Sequence, residues 1–265
     1  MTKRAFAVAA HPDDIEFRMA GTLILLKQAG YEIHYLNIAN GSCGTTQYRR
    51  DDIVRLRQAE AQRAAASIGA VFHPSLVNDI AIFYESALLA RVGAIVREVD
   101  PEIVLAHSPE DYMEDHQNAA RLAVTAAFCR GMPNFPTDPP RPVAQREVAV
   151  YHAQPHGNCT PLRRPVRPDL FVDTSGVLAT QRAMLACHQS QKAWLDESQG
   201  FDSYLEAMAS LAREVGRMSG RFKYAEGWRQ RLHYGFATSA ADPLAAALKG
   251  RVRPARAPRA RAAGR

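Results

Sequence analysis

One imidazole and two carboxylates stand within four residues near the start of the chain: His11, Asp13 and Asp14. Two carboxylates this close repel each other, so the arrangement is costly unless a cation neutralises them or one of them is held protonated. A divalent metal is the simplest such cation. His11 and Asp14 would supply one nitrogen and one oxygen ligand, fewer than the three protein ligands usual in catalytic zinc sites. The pattern therefore predicts a metal site whose third ligand comes from elsewhere in the chain.

A second polar cluster, Asp115 and His116, follows a later apolar segment and offers that third ligand. If His11, Asp14 and His116 hold a metal, Asp13 is free to act as general base on a water that the metal activates, as in a hydrolase. A simpler interpretation stays open at this point. One of the two early aspartates would cap the helix that follows, and the later histidine would be an ordinary surface or supporting residue.

Apolar runs typical of buried strands alternate with segments of helical spacing along the first half of the chain. The predicted strands are 5–10, 31–39 and 102–106, and the predicted helices are 17–27, 52–68 and 88–99. This alternation predicts an α/β fold: a doubly wound, mostly parallel, Rossmann-like sheet with helices on both faces. Ligands bind beyond the carboxyl ends of such strands, so the two polar clusters are expected to meet.

The C-terminal third is less regular and is interpreted as a cap region on the same core, with short strands at 148–151 and 170–173 and helices at 178–191 and 203–218. No shift in composition marks a second nucleus, so residues 1–248 are predicted to form a single domain. Residues 249–265 contain one Lys, six Arg and no acid. They are expected to be a disordered basic tail.

Composition excludes several function classes. The net charge of +6 over 265 residues belongs to the tail, because residues 1–248 carry 26 basic and 27 acidic groups. No specific nucleic-acid binding is therefore expected. No segment approaches the ~20 apolar residues of a membrane span, and no leader is recognisable, so a cytoplasmic location is expected. The four cysteines are too far apart for a disulfide framework and are interpreted as free thiols.

Motifs along residues 5–230 resemble those of a known family. They are AHPDDIE at 10–16, AGTL at 20–23, Arg57 with Glu60, HSPEDY at 107–112 leading into Asp115 and His116, DTS at 173–175, HQSQ at 188–191 and YAEG at 224–227. In this order they resemble the AHPDD(x)E, GGTL, RxxE, HSPxDYHPDH, DIS, HxSQ and YAEG segments of the LmbE/PIG-L family of metal-dependent N-deacetylases.

The resemblance implies an enzyme that removes an acetyl or other acyl group from the amine of an N-acylated amino sugar or related conjugate. It implies zinc as cofactor, with iron(II) or another divalent metal as alternatives, held by His11, Asp14 and His116. Asp13 carries over as general base, while Asp115 would orient a ligand imidazole. Arg57 matches a residue implied in substrate contact. Homo-oligomers are common in such families, and the sequence leaves the number of subunits open.

One position departs from the family pattern. Met113 stands where the family has a histidine that is implied in assisting the tetrahedral intermediate or protonating the leaving amine, and a thioether can do neither. His152, His156 or His188 could supply the donor. His188, in the HxSQ-like segment, is expected to be catalytic, and His152 and His156, which follow a predicted strand, are expected to contact substrate.

Other readings of the Met113 substitution stay open. Asp13 could carry the proton in both directions, or the leaving group could differ from an ordinary amino sugar. The chief alternative function is a catalytically weak or inactive member that binds metal or a sugar conjugate. A nucleotide-binding Rossmann function ranks third because no GxGxxG turn is present.

Overall fold

The computed structural model describes residues 2–191 and 204–255. Its centre is an eight-stranded sheet with the order β3-β2-β1-β4-β5-β7-β6-β8. The strands are β1 (Arg4–Ala9), β2 (Glu32–Asn37), β3 (Val71–His73), β4 (Ile103–Ala106), β5 (Ala149–Ala153), β6 (Leu170–Asp173), β7 (Ala225–Gln230) and β8 (Val252–Pro254). The strands β3-β2-β1-β4-β5 are parallel, while β7, β6 and β8 pair antiparallel. The predicted α/β fold with a mostly parallel sheet is confirmed.

Strand β1 shows why helices cover both faces of the sheet. Its side chains alternate between two hydrophobic clusters, because successive residues of a strand point to opposite faces. Ala5, Ala7 and Ala9 pack with the helix after β1, whereas Phe6 and Val8 pack with the helices that flank β4. A strand buried on both sides reads as a continuous apolar run. This is the pattern that its sequence displays.

Helices connect the strands and pack on the two faces. They are α1 (Asp14–Arg18), α2 (Ala20–Gln28), α3 (Arg50–Ser67), α4 (Ser86–Val99), α5 (Glu114–Cys129), α6 (Leu178–Leu185), α7 (Tyr204–Ser219) and α8 (Pro243–Ala247). The helix predicted at 17–27 is divided into α1 and α2, because Met19 leaves the helical region with φ of −133°. None of these helices in the described part of the chain is long and apolar enough to cross a membrane.

The C-terminal part differs from the expected cap. Strands β5 to β8 extend the same sheet rather than sitting on it. Residues 252–254 of the segment expected to be a tail form strand β8, which pairs with β6 through the register Phe171 with Arg253 and Val172 with Val252. The side chains of basic residues on this edge strand do not prevent pairing, because pairing uses backbone groups. Residues 256–265 of the predicted tail lie outside the described residues.

Candidate active site

The two polar clusters meet at the carboxyl ends of β1 and β4, which are neighbours in the sheet. There they border a cavity of about 380 Å³. Its lining comes from the loops after β1, β2, β3, β4 and β5 and from helices α1, α3, α5 and α7. It includes His11, Asp13, Asp14, Phe17, Arg18, Cys43, Arg57, Ile80, Tyr112, Met113, His116, His156 and Tyr204. The cavity lies where ligands bind in open α/β sheets.

Three predicted ligands surround one point at the bottom of the cavity. One donor atom from each of His11, Asp14 and His116 lies within 4.8 Å of the others. The Asp14 carboxylate is central, with Oδ2 at 3.4 Å from His11 Nδ1 and Oδ1 at 3.4 Å from His116 Nε2. Asp14 is partly buried, but the neighbouring imidazoles, that of His116 foremost, outweigh the effect of burial and hold its pKa well below the usual range. Two imidazole nitrogens and one carboxylate form a donor set that suits zinc or iron(II).

Each of the two imidazoles is held from behind by a second carboxylate. His11 Nε2 lies 2.9 Å from Asp115 Oδ2, and His116 Nδ1 lies 3.0 Å from Asp111 Oδ1. These bonds direct His11 Nδ1 and His116 Nε2 toward Asp14, since the two nitrogens of a ring point in different directions. Metal-binding histidines are commonly oriented by such carboxylates. The arrangement therefore fits a metal at the three donors.

His107 is a second histidine beside this group, and together with Asp111 and His116 it forms another cluster of potential ligands. Its Nε2, however, lies 3.0 Å from the backbone nitrogen of Ala10, which donates to it, and 3.3 Å from Asp14 Oδ2. Burial lowers the pKa of His107, which favours the neutral ring that this contact requires. Its Nε2 lone pair is therefore engaged, which leaves His11, Asp14 and His116 as the better ligand set.

Asp13 has hydrogen-bonding partners of its own, separate from those of Asp14. The hydroxyl of Tyr204 donates to its Oδ2 at 2.6 Å, and Arg57 Nη2 lies 3.6 Å from the same oxygen. Its backbone has φ of 107°, an uncommon value for a residue with a side chain. Burial raises the pKa of Asp13 to about 6 against the opposing effect of Arg57. The adjacent aspartates thus have separate environments, and only Asp14 joins the ligand group.

Arg57 reaches Asp13 from α3 beneath the loop 40–46. Its side chain is 2% exposed, and Nη2 donates to the carbonyl of Pro12. Two glycines of the loop leave room for it: a Cβ at Gly41 would lie 2.4 Å from Arg57 Cδ, and one at Gly44 would lie 2.5 Å from Arg57 Nη1. Real Cβ contacts are not this short, so a side chain at either position would require the Arg57 side chain to shift.

Two of the three histidines considered as replacement donors lie outside the cavity lining. His188 is fully buried, with Nε2 at 2.9 Å from Glu16 Oε1. His152 donates from Nδ1 to the carbonyl of His107 at 2.7 Å. Neither ring borders the cavity among the described residues. His152 lies on β5 and His188 follows the end of α6, and both rings are buried. The catalytic role expected for His188 and the substrate contact expected for His152 stay predictions.

His156 is the remaining histidine, and it lines the cavity together with Met113. Its ring centroid lies 5.6 Å from that of Phe17 and 5.3 Å from that of Tyr112. Burial lowers the pKa of His156 to about 4, so the ring is neutral near pH 7. The ring is placed to contact a ligand. At neutral pH it is the uncharged imidazole, whose single N–H can donate a hydrogen bond but is a very weak acid.

Sequence reasoning missed two residues of this site. Asp111 stands in the quoted HSPEDY segment, and a carboxylate five residues before His116 was a signal that could have been used. Tyr204 had no such signal, because its contact with Asp13 joins residues 191 positions apart. The sequence shows only an aromatic residue on a predicted helix.

Comparison with known proteins finds one family model, several relatives and several solved structures that are similar to this chain. Residues 6–127 match the family model PIG-L, described as GlcNAc-PI de-N-acetylase. The diacetylchitobiose deacetylase of Thermococcus kodakarensis is 28% identical over 86% of this chain and 82% of that protein. The 4-oxalmesaconate hydratase of Pseudomonas putida is 28% identical over 85% of this chain and 88% of that protein. The solved N,N'-diacetylchitobiose deacetylase of Pyrococcus horikoshii shares the fold, with a TM-score of 0.72, 21% identity, and coverage of 91% of this chain and 88% of that one.

Proposed function

We propose, from the premise that residues 6–127 of this chain are a PIG-L (LmbE-like) domain, that the protein is a zinc-dependent hydrolase. It removes an acetyl or other acyl group from the amine of an N-acylated amino sugar or related conjugate. One observation carries the proposal. The donor atoms of His11, Asp14 and His116 converge within 4.8 Å, and Asp13 lines the same cavity without joining them.

His11 Nδ1, Asp14 and His116 Nε2 are the atoms that would hold the metal. A divalent ion bound there polarises the acyl carbonyl and lowers the pKa of a water to ~7. Zinc is the first choice for two imidazoles and a carboxylate, and iron(II) also suits this donor set. Asp115 and Asp111 keep the two rings in the orientation that such binding requires.

Asp13 acts as general base. Its Oδ2 is occupied by the Tyr204 hydroxyl and faces Arg57, while its Oδ1 has no partner among the described residues. Oδ1 can therefore take the proton of the attacking water. The Tyr204 hydroxyl and the Arg57 guanidinium hold the carboxylate in place during this transfer, and general-base catalysis of this kind contributes about 100- to 10,000-fold to a rate.

The proton must then reach the leaving amine. Met113 cannot donate it. Burial lowers the pKa of His156 to about 4, so its ring is uncharged at neutral pH and has no acidic proton to donate. Asp13, protonated in the first step, is the remaining acid beside the reacting carbon. We infer that Asp13 serves as base and then as acid, which explains how deacetylation proceeds with a methionine at position 113.

The cavity wall suits a sugar ring. Phe17, Tyr112 and His156 present rings whose centroids lie 5.3 to 5.6 Å apart in successive pairs, and all three border the cavity. Aromatic faces pack against the apolar side of a sugar and bury considerable area. The Thermococcus relative is named for diacetylchitobiose, an N-acetylated sugar, which supports this substrate class.

A second candidate function is hydration of an unsaturated acid. The Pseudomonas putida relative, as similar to this chain as the deacetylase, is a hydratase. Adding water to a carbon–carbon double bond releases no amine. Such a reaction therefore needs no proton donor for a leaving amine, and Met113 would not impair it. Asp13 would again take the proton from water. The two candidates differ in product, because only the first releases an amine.

Metal content and amine release together test the proposal. The purified chain is loaded with zinc, its metal is counted by mass spectrometry, and amine release is followed on a panel of N-acetylated amino sugars. Asp13→Asn is the control: it should retain about one metal per chain and lose at least about 100-fold in rate. Metal without amine release would contradict the deacetylase, and loss of absorbance from an unsaturated dicarboxylate would then support the hydratase. Absence of metal would refute the site itself.

The cytoplasmic location and the homo-oligomer expected from the sequence stay predictions.

A further inference from the structure

Arg18 is a second arginine in the cavity, and no part of the mechanism above uses it. It lies at the end of α1, four residues after Asp14. Residues four apart on a helix share one face, with Cβ atoms about 5–6 Å apart. Its side chain therefore starts one helical turn from the ligand group, on the side where the cavity continues.

Three neutral oxygens hold the Arg18 guanidinium. Nε donates to the carbonyl of Gln154 at 3.2 Å, and Nη2 donates to the carbonyl of Pro155 at 3.0 Å and to Asn158 Oδ1 at 2.6 Å. Asn158 is itself oriented, since its Nδ2 donates to Glu214 Oε2 at 2.9 Å. One edge of the guanidinium is thus fixed in the wall of the cavity.

The other edge has no partner. No carboxylate of the described residues forms an ion pair with Arg18, and Nη1 has no acceptor among them. Burial lowers the pKa of Arg18 to about 10, so the group is still charged at neutral pH. The carboxylates of Asp111, Glu226 and Glu214 favour this charge from a distance, but none of them forms an ion pair with it. A partly buried charge gains from a direct hydrogen-bonded partner of opposite sign.

The other cavity arginine provides the contrast. Arg57 lies 3.6 Å from the carboxylate of Asp13 and donates to Pro12, so its charge is matched within the protein. Arg18 has the same chemistry and lines the same cavity, but its hydrogen bonds go only to neutral acceptors. A fixed guanidinium with a free edge is suited to a planar or tetrahedral oxyanion, which can accept hydrogen bonds at that edge.

We propose that Arg18 binds an anionic group of the substrate, a carboxylate or a phosphate, about one helical turn from the atoms that react. The inference rests on the proposed function for where the reaction occurs, and it narrows the substrate class to acidic N-acylated compounds. Arg18 is a specificity residue. Asn158 is a positioning residue that aims the guanidinium.

The test compares probes that differ in charge. N-acetylglucosamine is neutral, N-acetylmuramic acid adds a carboxylate, and N-acetylglucosamine 6-phosphate adds a phosphate. Equilibrium binding and amine release are measured for each probe with the zinc-loaded wild type, Arg18→Gln and Arg91→Gln. Arg91 is the matched control, since it is also half-buried and donates to a backbone carbonyl, that of Leu76, but lies outside the cavity lining.

The wild type should bind one acidic probe about 10- to 100-fold more tightly than the neutral one, the range expected for charge-assisted hydrogen bonds. Arg18→Gln should reduce this ratio to about threefold or less, whereas Arg91→Gln should retain it. The better of the two acidic probes identifies carboxylate or phosphate as the group that Arg18 binds. Equal binding of all three probes by the wild type would overturn the inference, as would a ratio that survives in Arg18→Gln.

Two further results keep the outcome unambiguous. If Arg18→Gln fails to fold, the wild-type ratio and Arg18→Lys decide, because lysine keeps the charge and should retain part of the preference. Charge-dependent binding that needs Arg18 but releases no amine would refute the deacetylase and leave the anion site standing. Amine release that is equal for neutral and acidic probes would refute the anion site and leave the deacetylase standing.

Discussion

Replacing Gly41 by alanine tests how the loop 40–46 holds Arg57 against the general base. Gly41 has φ of +80°, and a Cβ there would lie 2.4 Å from Arg57 Cδ and 2.6 Å from Arg57 Nε. Gly30 offers a matched control, because it has φ of +88° and a Cβ there meets no atom within 4 Å. The two substitutions share the backbone strain, and only the first displaces the arginine.

The expected magnitudes follow from these contacts. Alanine in the left-handed region costs about 1–2 kcal/mol, and both variants lose this much stability. At Gly41 the Arg57 side chain must also move within a packed interior, where it is 2% exposed. It then loses its hydrogen bond to Pro12 and its approach to Asp13. A charge-assisted hydrogen bond is worth about 1.5–3 kcal/mol, so Gly41→Ala should be destabilised by that much more than Gly30→Ala.

Urea unfolding of both variants and the wild type measures the difference. The amine-release rate should follow the same order, with kcat/KM reduced about tenfold or more in Gly41→Ala, because a displaced Arg57 no longer holds the Asp13 carboxylate. Free energies of unfolding that agree within about 0.5 kcal/mol would refute the reasoning, since differences of that size are ordinary for surface changes. A normal rate in a destabilised Gly41→Ala would show that Arg57 does not serve the base.

Three other changes have defined outcomes. Asp111→Asn should weaken zinc affinity about 10- to 100-fold in a chelator competition, because this carboxylate orients His116, and unchanged affinity would contradict that role. Met113→His should raise amine release from N-acetylglucosamine conjugates by up to about 100-fold if the missing donor limits the rate, and an equal rate would mean that another group already supplies it. His73→Gln should flatten the fall of stability with pH. Burial and the neighbouring His34 lower the His73 pKa to about 4, so the unfolded chain takes up a proton near pH 6.5 before the folded chain does, and stability is lost as pH falls from about 6.5 to 4. Parallel urea stability curves for wild type and His73→Gln at pH 7 and pH 5 would show that His73 contributes nothing.

Local sequence pattern was sufficient to predict the parallel half of the sheet and the meeting of the two polar clusters. Strands β1 and β4 are buried on both faces, so they read as apolar runs, and the sheet rule then places their polar ends together. The convergence of His11, Asp14 and His116 could be predicted in this way. The resemblance to the LmbE/PIG-L family is confirmed by the match over residues 6–127. Its motifs are short and contiguous, so they can be recognised in the sequence alone.

The antiparallel strands of the sheet, β7, β6 and β8, were harder to predict from the sequence. Strand β7 is only half-apolar, and β8 lies in a segment whose arginines suggested a tail. An edge strand is selected by backbone pairing and not by side-chain burial, so composition carries no signal for it. The break between α1 and α2 is equally hidden, because helical spacing continues across Met19.

The types of chemical group at the site were determined by the sequence itself, because adjacent carboxylates and nearby imidazoles carry their chemistry wherever they fold. What each group does was decided by the tertiary structure. His188 and His152 lie in the interior, Tyr204 contacts Asp13 from a helix distant in sequence, and Arg18 has no direct ion pair among the described residues. The physical reason is that burial, pKa and hydrogen-bond partners depend on neighbours in space, and a linear pattern specifies neighbours only within a strand or a helical turn.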